Sequence, residues 1–179
     1  MIAPPQTFIC VCGDHAWQPS TRGHVVLVSP EDAQLLVKPW NALLTKGVAH
    51  ARRRARKERS GKTILLHKEI LPPPPGMLVD HINHNGMDNR RPNLRLATVT
   101  QNQSNRRAAR GFSSPYKGVS RNGSSWNAVI RRSGAVYWLG TFADEIEAAH
   151  AYDDAARRLD GAFACVNFPR EGEAGALRA

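Results

Sequence analysis

Four residues, Asp80, His81, Asn93 and Asn102, stand in an order that could hydrolyse a phosphodiester. The charge on a phosphodiester repels nucleophiles. Hydrolysis therefore calls for a base that makes hydroxide and for a divalent cation that neutralises the phosphate and the leaving oxygen. His81 can be the base, while Asp80 and Asn102 each offer a cation an oxygen. His84 competes with His81 for the role. His81 is preferred because it stands beside a carboxylate at the end of an apolar run, whereas His84 falls in a turn-forming stretch.

These residues need a strand, a loop, a returning strand and a helix. Met77 to Asp80 is apolar until its last residue and reads as a strand, and Asn83 to Asn89 is rich in the Asn and Gly of turns. Leu94 to Ala97 reads as the return. Thr98 or Thr100 can then cap a helix that runs through Asn102 toward Arg107, because a threonine hydroxyl satisfies a helix-start N–H. Upstream, residues 1 to 20 read as a loosely held lead-in, Val25 to Val28 as a strand and Pro30 to Val37 as a short helix. Lys46 to Arg54 and Lys62 to His67 could pair as basic strands, and Pro72 to Pro75 is a stiff bend that delivers the chain to the motif.

The run Val79-Asp80-His81-Ile82-Asn83, followed by Asp88-Asn89-Arg90-Arg91-Pro92-Asn93-Leu94-Arg95, resembles the His-Asn-His (HNH) family of homing endonucleases. The resemblance implies a ββα-metal fold. It also implies that His81 activates water, that Asp80 and Asn102 hold one divalent metal, and that the central Asn93 pins the loop. The chain departs from the eponymous pattern at Asn102, where the last histidine would stand, and so is similar to phage-type members that use Asp and Asn. A carboxylate with an amide oxygen suits magnesium, with manganese as the alternative, better than zinc. His67 matches a histidine common before this motif in relatives, and a structural or phosphate-facing role is expected of it.

The second half has a different pattern. Tyr116 to Arg121, Trp126 to Arg132 and Val136 to Phe142 are rich in aromatic and β-branched residues, and Asn122-Gly123-Ser124 and Ser133-Gly134 separate them. This predicts a three-stranded antiparallel meander. In the middle strand Trp126, Ala128 and Ile130 share one face, and Asn127, Val129 and Arg131 the other. In the third strand Trp138 shares parity with Val136, opposite Tyr137 and Leu139. Asp144 to Asp160 lacks Gly and Pro, carries Ala148, Tyr152, Ala155 and Leu159 at helical spacing, and ends at Gly161; it predicts a helix packed on the sheet.

Tyr116 to Pro169, including its ending Val166-Asn167-Phe168-Pro169, resembles the plant APETALA/ethylene-response-factor (AP2/ERF) DNA-binding domain. That resemblance implies a sheet face set in the DNA major groove, with contacts from Lys117, Arg131 and Trp138 and with Arg121 beside them. Ser120, Val129 and Val136 stand where plant members usually carry charged contact residues, so the plant base preference does not transfer.

Bulk properties agree with a polyanionic partner. The chain has 179 residues, 41% hydrophobic content and a formal charge of +10. Basic residues cluster at Arg52 to Lys62, at Arg90 to Arg95 and at Arg106 to Arg110; Arg90, Arg91 and Arg106 are the expected phosphate contacts, and the first cluster reads equally as a solvated turn. Three cysteines are too few for a disulfide framework. Cys10, Cys12 and His15 invite a zinc reading, but Cys-x-Cys is poor spacing for a structural site and no fourth ligand is evident. Without a bilayer-spanning run or a signal segment, a cytoplasmic, non-secreted protein is expected.

The expected architecture is α+β: a lead-in at 1–20, a nuclease region at 21–110 with its core at 77–107, a linker at 111–115, a DNA-binding domain at 116–169 and a frayed tail at 170–179. The expected function is a metal-dependent, site-selective DNA endonuclease of homing type, nicking or cutting both strands, acting on double-stranded DNA as a monomer, with a dimer as the alternative. The alternative function is a sequence-specific DNA-binding regulator with an inactive nuclease motif. An RNA-binding module is a third class, disfavoured because the aromatic RNA-binding signature is missing.

Overall fold

The computed structural model describes residues 6–45, 47–55, 62–108 and 111–177. Lys46, most of the basic stretch between Arg52 and Lys62, and the end of the stretch at Arg110 lie outside the described residues. The chain divides into two compact units, Met1–Leu96 and Ala97–Ala179.

In the first unit the described part of the expected lead-in, residues 6–20, contains two strands. Strands β1 (Phe8–Ile9) and β2 (Ala16–Pro19) form an antiparallel hairpin, and β2 pairs with β3 (Val25–Val28). Its register follows burial: Ala16 and Gln18 on β2 and Val26 and Val28 on β3 are buried. Pro30–Val37 is a 3-10 helix with proline at its start and Glu31 and Asp32 in its first turn. Trp40 is held by its indole N–H, which donates to Leu35 O at 2.9 Å, and anchors a core with Val26, Val28, Leu36, Ala51, Leu66, Met87 and Leu94. Burying one such aliphatic side chain stabilises by about 1.5–3 kcal/mol.

A second sheet is the meander of β4 (Asn41–Thr45), β5 (Val48–Arg54) and β6 (Thr63–Leu65). The expected strand through His67 stops at Leu65. There the chain turns into α1 (Leu66–Ile70), because Leu66 and Ile70, one helical turn apart, enter the core together. Strand β7 (Leu78–His81) pairs with β9 (Leu94–Ala97), which reaches the unit boundary. The Asn-rich loop between them ends differently from the expected plain turn: Asp88–Asn89 is a two-residue strand, β8, lying parallel to β3 with Leu27 opposite Asp88 and Val28 opposite Asn89.

The second unit begins with α2 (Val99–Ser104). Thr98 caps it reciprocally with Gln101: Gln101 N donates to Thr98 Oγ1 at 3.2 Å and Thr98 N donates to Gln101 Oε1 at 2.8 Å. The helix stops at Ser104, short of the expected Arg107.

Strands β10 (Val119–Asn122), β11 (Ser125–Arg132) and β12 (Ala135–Phe142) form the expected meander, and α3 (Glu145–Asp160) packs on it. Asp144 caps α3, its Oδ1 accepting from Ile146 N and Glu147 N. The buried stripe is Ala148, Ala149, Tyr152, Asp153, Ala155 and Ala156, whereas Leu159, expected in it, is exposed. Small residues let the helix approach closely, and Gly118 shows how closely: a Cβ there would fall into the Tyr152 ring.

The expected frayed tail is also ordered in part. Cys165–Val166 (β13) pairs in parallel with Ala174–Gly175 (β14), and Ala174 and Ala176 are buried. Buried Asp153 on α3 fixes this segment by accepting from Asn167 N at 2.7 Å and Phe168 N at 2.8 Å. Burial raises its carboxyl's pKa, and those two N–H bonds oppose the shift.

Candidate active site and candidate nucleic-acid interface

Both Asp80 and His81 are buried at the end of β7. The loop that follows is tied by one amide. Asn93 Oδ1 accepts from Asn83 N at 3.0 Å and Asn93 Nδ2 donates to Asp88 O at 2.7 Å, so this side chain joins both ends of the turn. Asn83 adds a bond to Asp88 Oδ2 at 2.9 Å. The Asp88 carboxylate also receives the Arg90 guanidinium through Nε at 2.8 Å and Nη2 at 2.7 Å. Burial pushes the Asp88 carboxyl up, but Arg90 and Asn83 together outweigh it and the net shift is down.

His81 Nε2 lies 3.3 Å from Asn89 Oδ1. The orientation of Asn89 is set independently, because its Nδ2 donates to Met87 O at 3.1 Å and to Gly86 O at 3.4 Å. An acceptor facing Nε2 places the proton of neutral imidazole on Nε2, so the basic lone pair is on Nδ1. Burial lowers the His81 pKa, and His50 adds to that, while Asn89, Asp80 and Asp88 oppose it. Such a base stays neutral further into acid than an ordinary histidine.

Two further imidazoles pack on His81. His67, on α1, and His50, on β5, have ring centroids 5.0 Å and 5.7 Å from it, and ligand nitrogens of the three lie within 4.8 Å of one another. The Nδ1 atoms of His50 and His67 are buried without a hydrogen-bond partner. Burial pushes His67 down to about 3, with His81 and His50 adding to the shift. His50 went unnoticed in the sequence. Its signal is Gly86, where a Cβ would collide with the His50 ring and Ala49 O, so the loop meets β5 only through a glycine.

Asp80 has a partner that spacing did not reveal: Arg95 on β9 donates to Asp80 Oδ2 through Nε at 2.9 Å and approaches it through Nη2 at 2.8 Å. The pair fixes the orientation of the carboxylate, whose oxygens are hard donors of the kind an oxygen-seeking divalent cation takes. Asn102 is half-buried on α2, in the second unit. His84 sits in the turn at φ 62°.

Arg90 and Arg91 are placed differently from the expected phosphate contacts. The fork of Arg90 is on Asp88. That of Arg91 is on buried Asp32, with Nε at 2.8 Å and Nη2 at 2.7 Å. Carboxylates that cannot reach water occupy both guanidinium groups, so these arginines fasten the loop. Arg106 is exposed.

On the sheet, a β-bulge between Ala128 and Val129 resets the pairing, with Ala128 opposite Gly140 and Val129 opposite Trp138. Gly140 accommodates it at φ 138°. Leu139 thereby stays against the core with Ile130 and Ala128, while Trp138 and Val136 are exposed on the face shared with Val129 and Arg131. Tyr137, on the helix side opposite Ile130, is still 46% exposed. A cavity of about 300 Å³ opens beside Arg131 between Arg107, Phe112, Tyr116 and Val129.

Two expected contacts are not on that face. Arg121 pairs in register with Trp126, and its guanidinium lies over the Trp126 ring at 5.8 Å, on the helix side of the sheet. Lys117 points inward. Its Nζ donates to Ser104 O at 2.7 Å and its backbone is clamped by Asn167, whose Oδ1 accepts from Lys117 N at 2.7 Å. Burial lowers the Lys117 pKa. A buried ammonium spent on carbonyl oxygens cannot serve as a surface phosphate contact.

Residues 72–104 match the family model of HNH endonucleases. An uncharacterized HNH endonuclease of Acanthamoeba polyphaga mimivirus is 36% identical over 106 residues, covering 59% of this chain and 53% of that protein. An AP2/ERF and B3 domain-containing protein of Oryza sativa is 51% identical over 63 residues, 35% of this chain and 17% of that protein. A dehydration-responsive element-binding protein of Arabidopsis thaliana is 53% identical over 57 residues, 30% of this chain and 28% of that protein. The chain thus spans about half the length of the viral relative and less than a third of the plant ones. No helix among the described residues is long and apolar enough to cross a membrane.

Proposed function

We propose that this chain is a metal-dependent DNA endonuclease of homing type, with a hydrolytic site around His81 and a separate DNA-reading sheet. The observation that carries the proposal is the buried, pinned loop inside the HNH-matching segment. There Asn93 ties both ends of the turn and Asn89 fixes the tautomer of a buried imidazole. His81 takes the proton of the attacking water on Nδ1, as a neutral base of lowered pKa can at physiological pH. Asn93 and Asn89 are positioning residues: they hold the loop and the ring, and do not touch the reacting phosphate.

Asp80 is the carboxylate ligand in this proposal, oriented by its Arg95 partner, and the motif order assigns Asn102 as a second oxygen ligand. Magnesium, with manganese as the alternative, is the cation these oxygens would take. When bound it would neutralise charge on the phosphate. The exposed Arg131 and Trp138 are proposed to read double-stranded DNA in the major groove, which admits a β-ribbon. One such site per chain makes a monomer nick first, and a double-strand break needs a second encounter or a dimer.

The test is incubation of the purified chain with supercoiled plasmid, with magnesium and with chelator. Conversion to open circle only with magnesium supports the proposal. Tight binding of DNA without cleavage under every divalent cation tried would favour the DNA-binding regulator instead.

A further inference from the structure

The hairpin of β1 and β2 carries a second cluster of donor side chains, remote in kind from the hydrolytic loop. Ile9 faces Ala16 across the ladder, and Cys10 N donates to His15 O at 2.9 Å, so Cys10 and His15 close the next rung. Between them the chain reverses at Gly13, whose N donates to Cys10 O at 2.9 Å and whose φ is +75°. The reversal folds Cys12 back toward the rung, leaving its Sγ 3.7 Å from His15 Nδ1. Ligand atoms of Cys10, Cys12 and His15 all lie within 4.8 Å of one another.

Those separations decide the ligand. With Zn–S about 2.3 Å and Zn–N about 2.0 Å, neighbouring ligand atoms of a tetrahedral zinc ion stand roughly 3.5–3.8 Å apart. The Cys12–His15 pair is already at that spacing. Two sulfurs and an imidazole are soft and borderline donors, which prefer zinc to magnesium. Against such a site stood the Cys-x-Cys spacing, poor for a structural site, and the lack of an evident fourth ligand. The turn removes the first objection by bringing the two cysteines and His15 together. The missing fourth protein ligand becomes an open corner for water.

We propose that Cys10, Cys12 and His15 form a zinc-binding site at the tip of the N-terminal hairpin, with a solvent-filled fourth position. Its physical use is closure of an otherwise thinly supported element. Phe8, Ile9 and Val11 are all exposed, and the hairpin's ring contact is the stacking of Phe8 on Trp17 at 4.3 Å. β2 is anchored by β3, but the two-residue edge strand β1 and the tip bury little, and a tip ligand that binds only the folded turn stabilises them by linkage.

The test uses the full chain, reduced and metal-free, titrated with cobalt(II) and zinc(II) in excess magnesium. The expected result is a thiolate-to-cobalt charge-transfer band that zinc displaces at one equivalent, with about tenfold or greater loss of zinc affinity in Cys12→Ser and in His15→Ala. Zinc should also slow alkylation of Cys10 and Cys12, a readout independent of variant folding. The proposal is overturned if no charge-transfer band develops, or if Cys12→Ser leaves both the intensity of the band and the metal affinity at their wild-type values. It is also overturned if zinc leaves the alkylation rates unchanged or if zinc uptake is abolished by His50→Gln and untouched by His15→Ala. None of these readouts involves DNA cleavage, so they fail or succeed apart from the nuclease proposal.

Discussion

The loop around His81 and the outer face of the C-terminal sheet both present polar side chains, but they hold them in opposite ways. In the loop, Asp80, His81, Asp88, Asn89 and Asn93 are all buried, with oxygens and nitrogens engaged by neighbours at 2.7–3.4 Å. On the sheet, Val136 and Trp138 are about 60% exposed and Arg131 projects into solvent. Burial removes competing water and fixes geometry, which chemistry requires. Exposure leaves side chains free to adapt to a groove, which recognition requires. The difference argues for two tasks on one chain, and each prediction attacks one side of it.

The largest effect is expected at His81. In the loop reading, His81→Ala should lower cleavage by about 10²–10⁴-fold, the range a general base contributes, with DNA affinity nearly unchanged. Single-turnover plasmid cleavage beside filter binding measures both. Next is Asn93→Ala, which leaves Asn83 N and Asp88 O without their buried partner. That costs about 1–3 kcal/mol of loop stability and, through a displaced His81, at least tenfold in rate. A thermal melt with a rate assay separates the two. A variant equally active and equally stable would remove the loop pin from the account.

The pH dependence sharpens the same side. Burial lowers the His81 pKa, so the neutral, competent base persists below the ordinary histidine range and the acid limb of the rate should lie below about pH 6.5. An acid limb at or above that value would mean a solvated base. His67, at about 3 in the fold, works through stability. The unfolded chain takes up its proton first as pH drops, so the stability of the neutral buried ring is present above about pH 6.5 and is lost progressively down to about 3. Replacing His67 with Leu should move acid unfolding to lower pH, as read by circular dichroism.

On the sheet the expected effects are smaller. Arg131→Ala with Trp138→Ala should cost on the order of 1–3 kcal/mol in preference for target over random duplex, while cleavage chemistry and the fold persist. Competition binding on both duplexes reads it. Smallest of all is Lys117→Met. With its amine turned to Ser104 O and Cys165 O, the change should alter stability while leaving the salt dependence of DNA binding where it was.

Periodicity made the second unit readable. Strand alternation and a Gly-free helical run predicted the sheet and α3, and the parity of Trp138 with Val136 holds because the bulge falls at Leu139, beyond both residues. What was hidden depends on contacts distant in sequence. Lys117 looked like a surface cation until Ser104 and Cys165 supplied carbonyl oxygens from 13 and 48 residues away. Arg91 looked like a phosphate contact until Asp32, 59 residues earlier, took its fork. The motif named Asp80, His81 and Asn93, but His50 had no signature on a basic strand, and only the tight Gly86 contact identifies it. Leu159 has the helical spacing of the buried stripe but lies in the last turn of α3 and is exposed, which spacing alone does not show.

The most direct test of the division of labour measures cleavage rate and DNA dissociation constant on the same preparations of wild type, His81→Ala and the Arg131→Ala/Trp138→Ala double variant, in magnesium. The account predicts that His81→Ala binds target DNA like wild type but no longer nicks it, and that the double variant nicks saturating DNA at the wild-type rate but discriminates poorly between sequences. If His81→Ala cuts at the wild-type rate, or if the double variant retains full selectivity while folded, the division is wrong.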